Sequence, residues 1–242
     1  MPALRVIGPG KAGLSLTGAL CASGWRVGAP LGRGDDLTSA AAGVDLLVIA
    51  TPDSAITAVA AAVSPVPTTV VAHLSGSLGL SVLEPHVRRA AIHPLRSLPA
   101  PGTDLRGAWF AISGDPLAAD VVASLDGRVV QVDDAQRVSY HAAAVIASNH
   151  LVALLGQVER VAAEAGVPLE AYLDLVRGTV DNVAALGPAA ALTGPVARGD
   201  WATVDNHLAA LAPAERPAYQ ALADLATRLV ADRRPLTVGG RR

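Results

Sequence analysis

Leu4-Arg5-Val6-Ile7-Gly8-Pro9-Gly10-Lys11-Ala12-Gly13, continued by Leu14-Ser15-Leu16-Thr17-Gly18-Ala19-Leu20, is the stretch on which the fold turns. A short apolar run with β-branched residues stops at a glycine, and an alanine- and leucine-rich helical pattern follows at once. Gly8, Gly10 and Gly13 have the G-x-G-x-x-G spacing. Between a strand and a helix each glycine has a mechanical purpose. Gly8 permits the tight turn, Gly10 removes a Cβ that would block a pyrophosphate, and Gly13 lets the helix lie close to the strand. The first-turn N–H groups and the helix dipole then favour an anion there. Gly8, Pro9, Gly10, Lys11, Ala12 and Gly13 are therefore expected to bind a dinucleotide, with a ligand-free glycine turn as the plainer alternative.

Outward from this loop, strand and helix signals alternate. Trp25–Pro30 reads as a second strand, Val44–Ala50 as a third and Thr68–Leu74 as a fourth. Arg88–Ile92, Ala108–Ile112 and Arg128–Val132 read as the fifth, sixth and seventh. Helices are expected from Asp53 or Ser54 through Val63 and from Pro116 to Leu125. The third run is nearly all apolar, as a parallel strand covered on both faces requires. The pattern predicts an α/β, doubly wound, mainly parallel sheet over residues 1–132. From Asp133 the periodicity becomes helical: about 134–165, closed by Gly166, then near 169–185, 201–211 and 214–231. Residues 133–242 read as an all-helical domain, with a frayed tail at 239–242.

Composition narrows the partners. The 242 residues carry a net charge of −2, and eighteen scattered arginines accompany one lysine, Lys11. That speaks against nucleic acid as the main partner. Mean hydropathy is +0.41, yet polar breaks interrupt every long apolar run, so no transmembrane helix and no membrane partner are expected. No signal peptide is visible. Cys21, the only cysteine, reads as a small buried hydrophobe, and the lack of an intrachain disulfide fits a cytoplasmic protein. No His/Cys/acid spacing suggests a metal.

A site can be sketched from strand ends, where open α/β sheets bind ligands. Thr51, Pro52 and Ser75 follow the third and fourth strands and are expected beside the cofactor. Arg33, after the second, suits a 2′-phosphate, because a guanidinium matches phosphate in a bidentate way. NADP is favoured over NAD, with a solvated loop arginine as the alternative. Asp35 or Asp36 reads as a helix cap. A nicotinamide delivers hydride, so the protein need supply a proton, orientation and a field. His93, stiffened by Pro94, is the first choice of proton donor, since a reference pKa of about 6.5 suits transfer near neutrality. The bland alternative is a loop histidine packed on the sheet edge. Ser75 could orient substrate. His141 and Ser148 are two helical turns apart on one face, with Asn149 about 80° round. Arg96 or Arg198 could clamp a carboxylate, while His86, His150 and His207 read as structural.

The chain resembles the 6-phosphogluconate dehydrogenase-like superfamily, a Rossmann domain followed by a helical domain. More closely it resembles predicted oxidoreductases whose helical half is a domain of unknown function; some act as an alternative kind of ketopantoate reductase. The resemblance rests on Gly8–Gly13, Ala50-Thr51-Pro52-Asp53, His73-Leu74-Ser75-Gly76, His93-Pro94-Leu95, Tyr140-His141 through Ser148-Asn149, and Leu192–Asp200. A similar His-Pro pair in prephenate dehydrogenases includes a catalytic histidine. Better-known relatives use a lysine on the long helix; four residues before Asn149 this chain has Val145. The resemblance implies an NADP-dependent oxidoreductase reducing a small 2-oxo acid, 2-ketopantoate first. His93, Ser75, His141 and Asn149 are the catalytic candidates, in a homodimer paired through the helical domain. A dinucleotide-binding sensor without catalysis, or a dehydrogenase of another acid or an imine, are the alternatives.

Overall fold

The computed structural model describes residues 1–232; the tail at 239–242 lies outside them. The chain divides into two compact units, Met1–Ser148 and Asn149–Arg242.

The first unit is a seven-stranded sheet in the order β2-β1-β3-β4-β5-β6-β7. Its strands are β1 (Ala3–Ile7), β2 (Arg26–Val27), β3 (Leu46–Ile49), β4 (Val70–His73), β5 (Arg89–Pro94), β6 (Trp109–Gly114) and β7 (Arg128–Gln131). Every pairing is parallel except β5 with β6. Alternate residues of the apolar strands feed two cores. Leu46, Val48, Val70 and Ala72 pack with Leu16 and Leu20 of α1 (Lys11–Ala22) on one face. Leu47, Ile49 and Val71 pack with Ile56 and Ala60 of α2 (Asp53–Ala62) on the other. Each buried Leu, Val or Ile side chain contributes about 1.5–3 kcal/mol, and the two-sided cover explains why β3 shows no polar alternation. Helix α3 (Leu117–Ala123) covers the first face near β6.

Three local expectations need correction. The second strand shrinks to two residues before Gly28-Ala29-Pro30, though Leu31 rejoins the sheet as a bridge to Ile7. Cys21 is exposed, because α1 turns Gly13, Leu16 and Leu20 inward and Cys21 lies about 100° round from Leu20. Asp36 caps a turn rather than a helix, accepting the Thr38 N–H.

The long helix is α4 (Arg137–Val145), a wider π-helical turn over Ile146–His150, and α5 (Leu151–Glu164). The division into units falls within that π turn, sixteen residues beyond the boundary read at 132/133, because the start of α4 packs on the sheet. The run Asp134–Glu164 is long and apolar enough, by length and composition alone, to cross a membrane, a test that core helices also pass. Ser148-Asn149-His150 interrupts it too briefly to offset the apolar residues on either side. Its first turns are nevertheless anchored on the sheet by the buried Arg137.

The second unit continues with α6 (Glu170–Leu186), α7 (Pro188–Ala191), α8 (Pro195–Arg198), α9 (Trp201–Ala210) and α10 (Arg216–Ala231). Helix α5 stops as its sequence predicts: Gly166 has φ +70°, and Val167 N–H donates to Ala162 O. Asp200 caps α9 by accepting the Thr203 N–H. Among the described residues of this unit only Ala162, Val204 and Ala223 are buried hydrophobics.

Candidate functional site

The first part of the site is the turn from β1 into α1. Strand β1 lies between β2 and β3, so the chain reverses its direction of travel across the sheet there, and the carboxyl ends of β1 and β3 flank the crevice. Gly8 has φ +101°, and a Cβ on it would stand 2.7 Å from Ala50 O. A Cβ on Gly13 would collide with Gly8 O. At Gly10 it would meet nothing within 4 Å. The turn is thus closed beneath and open above, and α1 begins at Gly10 with no side-chain cap. Pro9, Gly10 and Lys11 are exposed. The Thr51 hydroxyl, past β3, is buried without a hydrogen-bond partner, while Pro52 opens α2.

Beside this turn, Gly8 N–H donates to Leu31 O at 2.8 Å, which brings the 31–36 loop against the glycine turn. Arg33 is exposed there and makes no hydrogen bond or ion pair among the described residues. Asp35 Oδ2 accepts the Gly32 N–H at 2.6 Å, so this carboxylate already serves its own loop.

The second part lies at the ends of β4 and β5. His73 on β4 pairs with Ala91, and β5 runs three residues further, so His93 is inside the strand, opposite Ala111, rather than past its end. It still projects beyond β4, level with the turn Ser75-Gly76-Ser77. Ser75 is the knot of that turn. Its hydroxyl donates to Asp53 Oδ2 at 2.7 Å and accepts N–H bonds from Ser77 and Leu78. With its one proton committed to Asp53, Ser75 shapes the loop rather than offering substrate a donor. Asp53, which also accepts from Ser77 at 2.9 Å, was read as a helix start and part of a family motif, with no role in the site.

Helix α4 completes this corner, bringing the catalytic candidate His141 beside His93 together with Arg137 and Tyr140, to which the sequence reading had assigned no role. Arg137 is fully buried. It donates to Ser113 Oγ at 2.8 Å and to Ser75 O at 3.4 Å, and its Nε lies 3.6 Å from an Asp134 carboxylate oxygen. Burial lowers its pKa, with Asp134 and then Tyr140 opposing. The pinned guanidinium fixes α4, and positions three and four further on present Tyr140 and His141 from the same face. The Tyr140 hydroxyl is 2.7 Å from His93 Nδ1, and both the Tyr140 and His141 rings meet His93 edge-on, at 5.6 and 6.0 Å. Gly76 has to be glycine: a Cβ would stand 2.8 Å from His141 Cδ2 and 2.9 Å from His93 Nε2. The signal in the sequence was Arg137-x-x-Tyr140-His141, one face of a helix, which no local rule connects to His93.

Electrostatics alters the role expected of His93. Burial first, then the neighbouring His141 and Arg137, push its pKa down to about 4. At neutral pH it is an uncharged imidazole, not an imidazolium acid. His73, fully buried, is likewise lowered to about 4, chiefly by burial. Burial raises the Tyr140 hydroxyl to about 12.

The π turn is wider than an α turn, so Ser148 is rotated from the position expected at 3.6 residues per turn; Ser148 Oγ donates to Ala144 O. Asn149 begins the second compact unit. Arg96 and Arg198 are exposed and make no ion pair among the described residues. His86 is buried with Nε2 3.0 Å from Ala60 O, and His207 bonds Tyr219. His150 is exposed within the π turn. Among the described residues no group of three or more His, Cys, Asp or Glu side chains is placed to hold a metal.

Residues 109–226 match the family model described as "Domain of unknown function (DUF2520)". No curated protein matches the chain. Among solved structures it is similar to a Bacteroides fragilis protein provisionally named an NADP oxidoreductase. That match has 24% identity and TM-score 0.76, and covers 94% of this chain and 98% of the other. A Thermotoga maritima protein matches at 22% identity and TM-score 0.74, with the same coverage. The reductive aminase of Aspergillus terreus, solved with NADPH and ethyl levulinate, matches at 18% identity and TM-score 0.69 over 94% of each chain. These likenesses establish the fold, a Rossmann-like sheet followed by a helical region.

Proposed function

We propose that the chain is an NADP-dependent oxidoreductase that reduces the carbonyl of a small 2-oxo acid, 2-ketopantoate being the first choice. The observation that carries this reading is the glycine turn at the switch point of the sheet. It is shut by Gly8 and Gly13, open over Gly10, and bordered by the unpartnered Thr51 hydroxyl. That donor set fits a dinucleotide: backbone N–H groups at the start of α1 for the pyrophosphate, and a buried hydroxyl just past the neighbouring strand β3. Arg33 would take the 2′-phosphate, since Asp35 is occupied by Gly32. Bound in reduced form, the nicotinamide supplies hydride. This chain's residues do the rest: His93 directs a donor at the developing oxyanion, Gly76 keeps its ring accessible, and Arg137 adds a fixed positive charge behind. The Bacteroides and Aspergillus structures support the cofactor class through shared fold alone.

We also propose that a second copy covers the helical unit, whose Val152, Leu175 and Leu186 are 70, 66 and 61% exposed. The lone, exposed Cys21 thiol suits a reducing cytoplasm.

The test is NADPH oxidation against a panel of 2-oxo acids including ketopantoate, with cyclic imines as a contrasting arm. Turnover of a 2-oxo acid above the imines is expected. Tight NADPH binding without turnover of any member would make the chain a sensor instead.

A further inference from the structure

His93 is held from three sides. Its own strand fixes the backbone, the Gly76 turn lies against Nε2 and Cε1, and α4 brings Tyr140 to Nδ1 and His141 to the ring edge. Nδ1 is engaged at 2.7 Å, whereas Nε2 makes no hydrogen bond among the described residues. Either of two arrangements satisfies the short contact. The phenol can donate to an unprotonated Nδ1, leaving the proton on Nε2. Alternatively Nδ1–H can donate to the phenol oxygen, leaving Nε2 as a lone pair. Imidazole nitrogen is a far stronger base than a phenol oxygen, and a phenol O–H is the stronger acid, so the first arrangement prevails.

We propose that Tyr140 is a positioning residue for His93: its phenol donates to Nδ1, confines the ring proton to Nε2, and makes a neutral imidazole the donor to a substrate oxygen. The inference rests on the reductase reading for its substrate, but not for the tautomer. The surroundings keep the pair neutral. Arg137, His141 and His73 disfavour an imidazolium and only Asp53 favours one, while burial holds the phenol protonated. A neutral imidazole held this way can polarise a carbonyl without carrying charge.

The proton balance closes through Tyr140. When a substrate oxygen gains electron density, the Nε2–H bond breaks and an O–H bond forms. The phenol O–H breaks as Nδ1–H forms, so the ring stays neutral. The phenolate, favoured by the Arg137 charge, takes its proton back from Nδ1–H as water returns a proton to Nε2, leaving hydroxide to the solvent and restoring the starting tautomer.

The decisive measurement is ¹⁵N NMR of histidine-labelled protein without cofactor, wild type against Tyr140→Phe. At pH 7 the wild-type His93 Nδ1 is expected unprotonated and Nε2 protonated. Tyr140→Phe should mix the tautomers and raise the His93 titration midpoint, because the bond favouring the neutral ring is gone. A wild-type ring protonated at Nδ1, or a tautomer unchanged in Tyr140→Phe, overturns the proposal. In turnover, Tyr140→Phe should lower kcat by about 10- to 100-fold, below the roughly 10²–10⁴ of losing the donor itself. KM should stay within a few-fold, and His93→Asn/Tyr140→Phe should be no slower than His93→Asn. Multiplying losses in that double variant would mean Tyr140 acts apart from His93 and overturn it too. A wild type that turns over nothing defeats the reductase reading, while the NMR result still decides the tautomer.

Discussion

The sheet unit and the helical unit bury their apolar side chains in opposite ways. In Met1–Ser148, helices cover both faces of the sheet, and Leu46, Leu47, Val48 and Ile49 are all at 0% exposure. Among the described residues of the helical unit three buried hydrophobics, Ala162, Val204 and Ala223, stand against an outer surface that includes Val152, Leu175, Val180, Leu186 and Leu225. A sheet layered between helices finishes its burial within one chain. Helices that lack a second layer leave theirs to whatever meets them. The rigid machinery accordingly sits where burial is complete: Arg137, His73 and Ser75 can be held dry because the surrounding core excludes water.

The sharpest way to break this contrast is to cut equivalent side chains from each unit. Phe110→Ala should cost about 3–5 kcal/mol by chemical denaturation, the range for an aromatic removed from a core. Leu175→Ala should stay within about 0.5 kcal/mol at high dilution. If a second copy covers Leu175, the penalty of that variant grows with protein concentration. A Leu175→Ala loss equal to that of Phe110→Ala at dilution would mean the helical unit has a closed core of its own.

Acid provides a second cut. His73 and His93 titrate near 4 in the folded chain and near 6.5 when unfolded. Between those values the unfolded chain binds more protons, so their contribution is complete above about pH 6.5 and is lost as pH falls toward 4. From pH 7.5 to 5 each histidine should remove about 2 kcal/mol of stability. Carboxylates in their ordinary range contribute little in that window. Amide exchange should show the weakening in the strands of the sheet unit. A flat stability profile over this window would show that neither ring is held as dry as its position implies.

A third cut falls on cofactor choice and leaves stability untouched. Arg33→Ala should weaken NADPH by roughly 1.5–3 kcal/mol, the range for hydrogen bonds to a charged group, and leave NADH nearly unchanged by calorimetry. Equal losses for both cofactors would remove Arg33 from the site.

Much of this architecture is local and therefore readable in one dimension. Val6-Ile7-Gly8 dictates a strand end, Gly13 a close helix crossing, and Gly166 a helix stop, because each depends on backbone freedom or on side chains within a few residues. The apolar runs at Leu46–Ile49 and Val70–His73 announce strands covered on both faces for the same reason. What the tertiary structure decided is pairing at a distance. Tyr140 meets His93 across 47 residues, and a charged Arg137 is drawn to zero exposure to hold α4 on the sheet. Ser75 gives its proton to Asp53. Desolvation, not residue type, makes His93 a neutral donor candidate instead of an acid, and desolvation depends on the packing of β5, the Gly76 turn and α4 together. No window of sequence contains all three, so the identity of the histidine was legible and its chemistry was not.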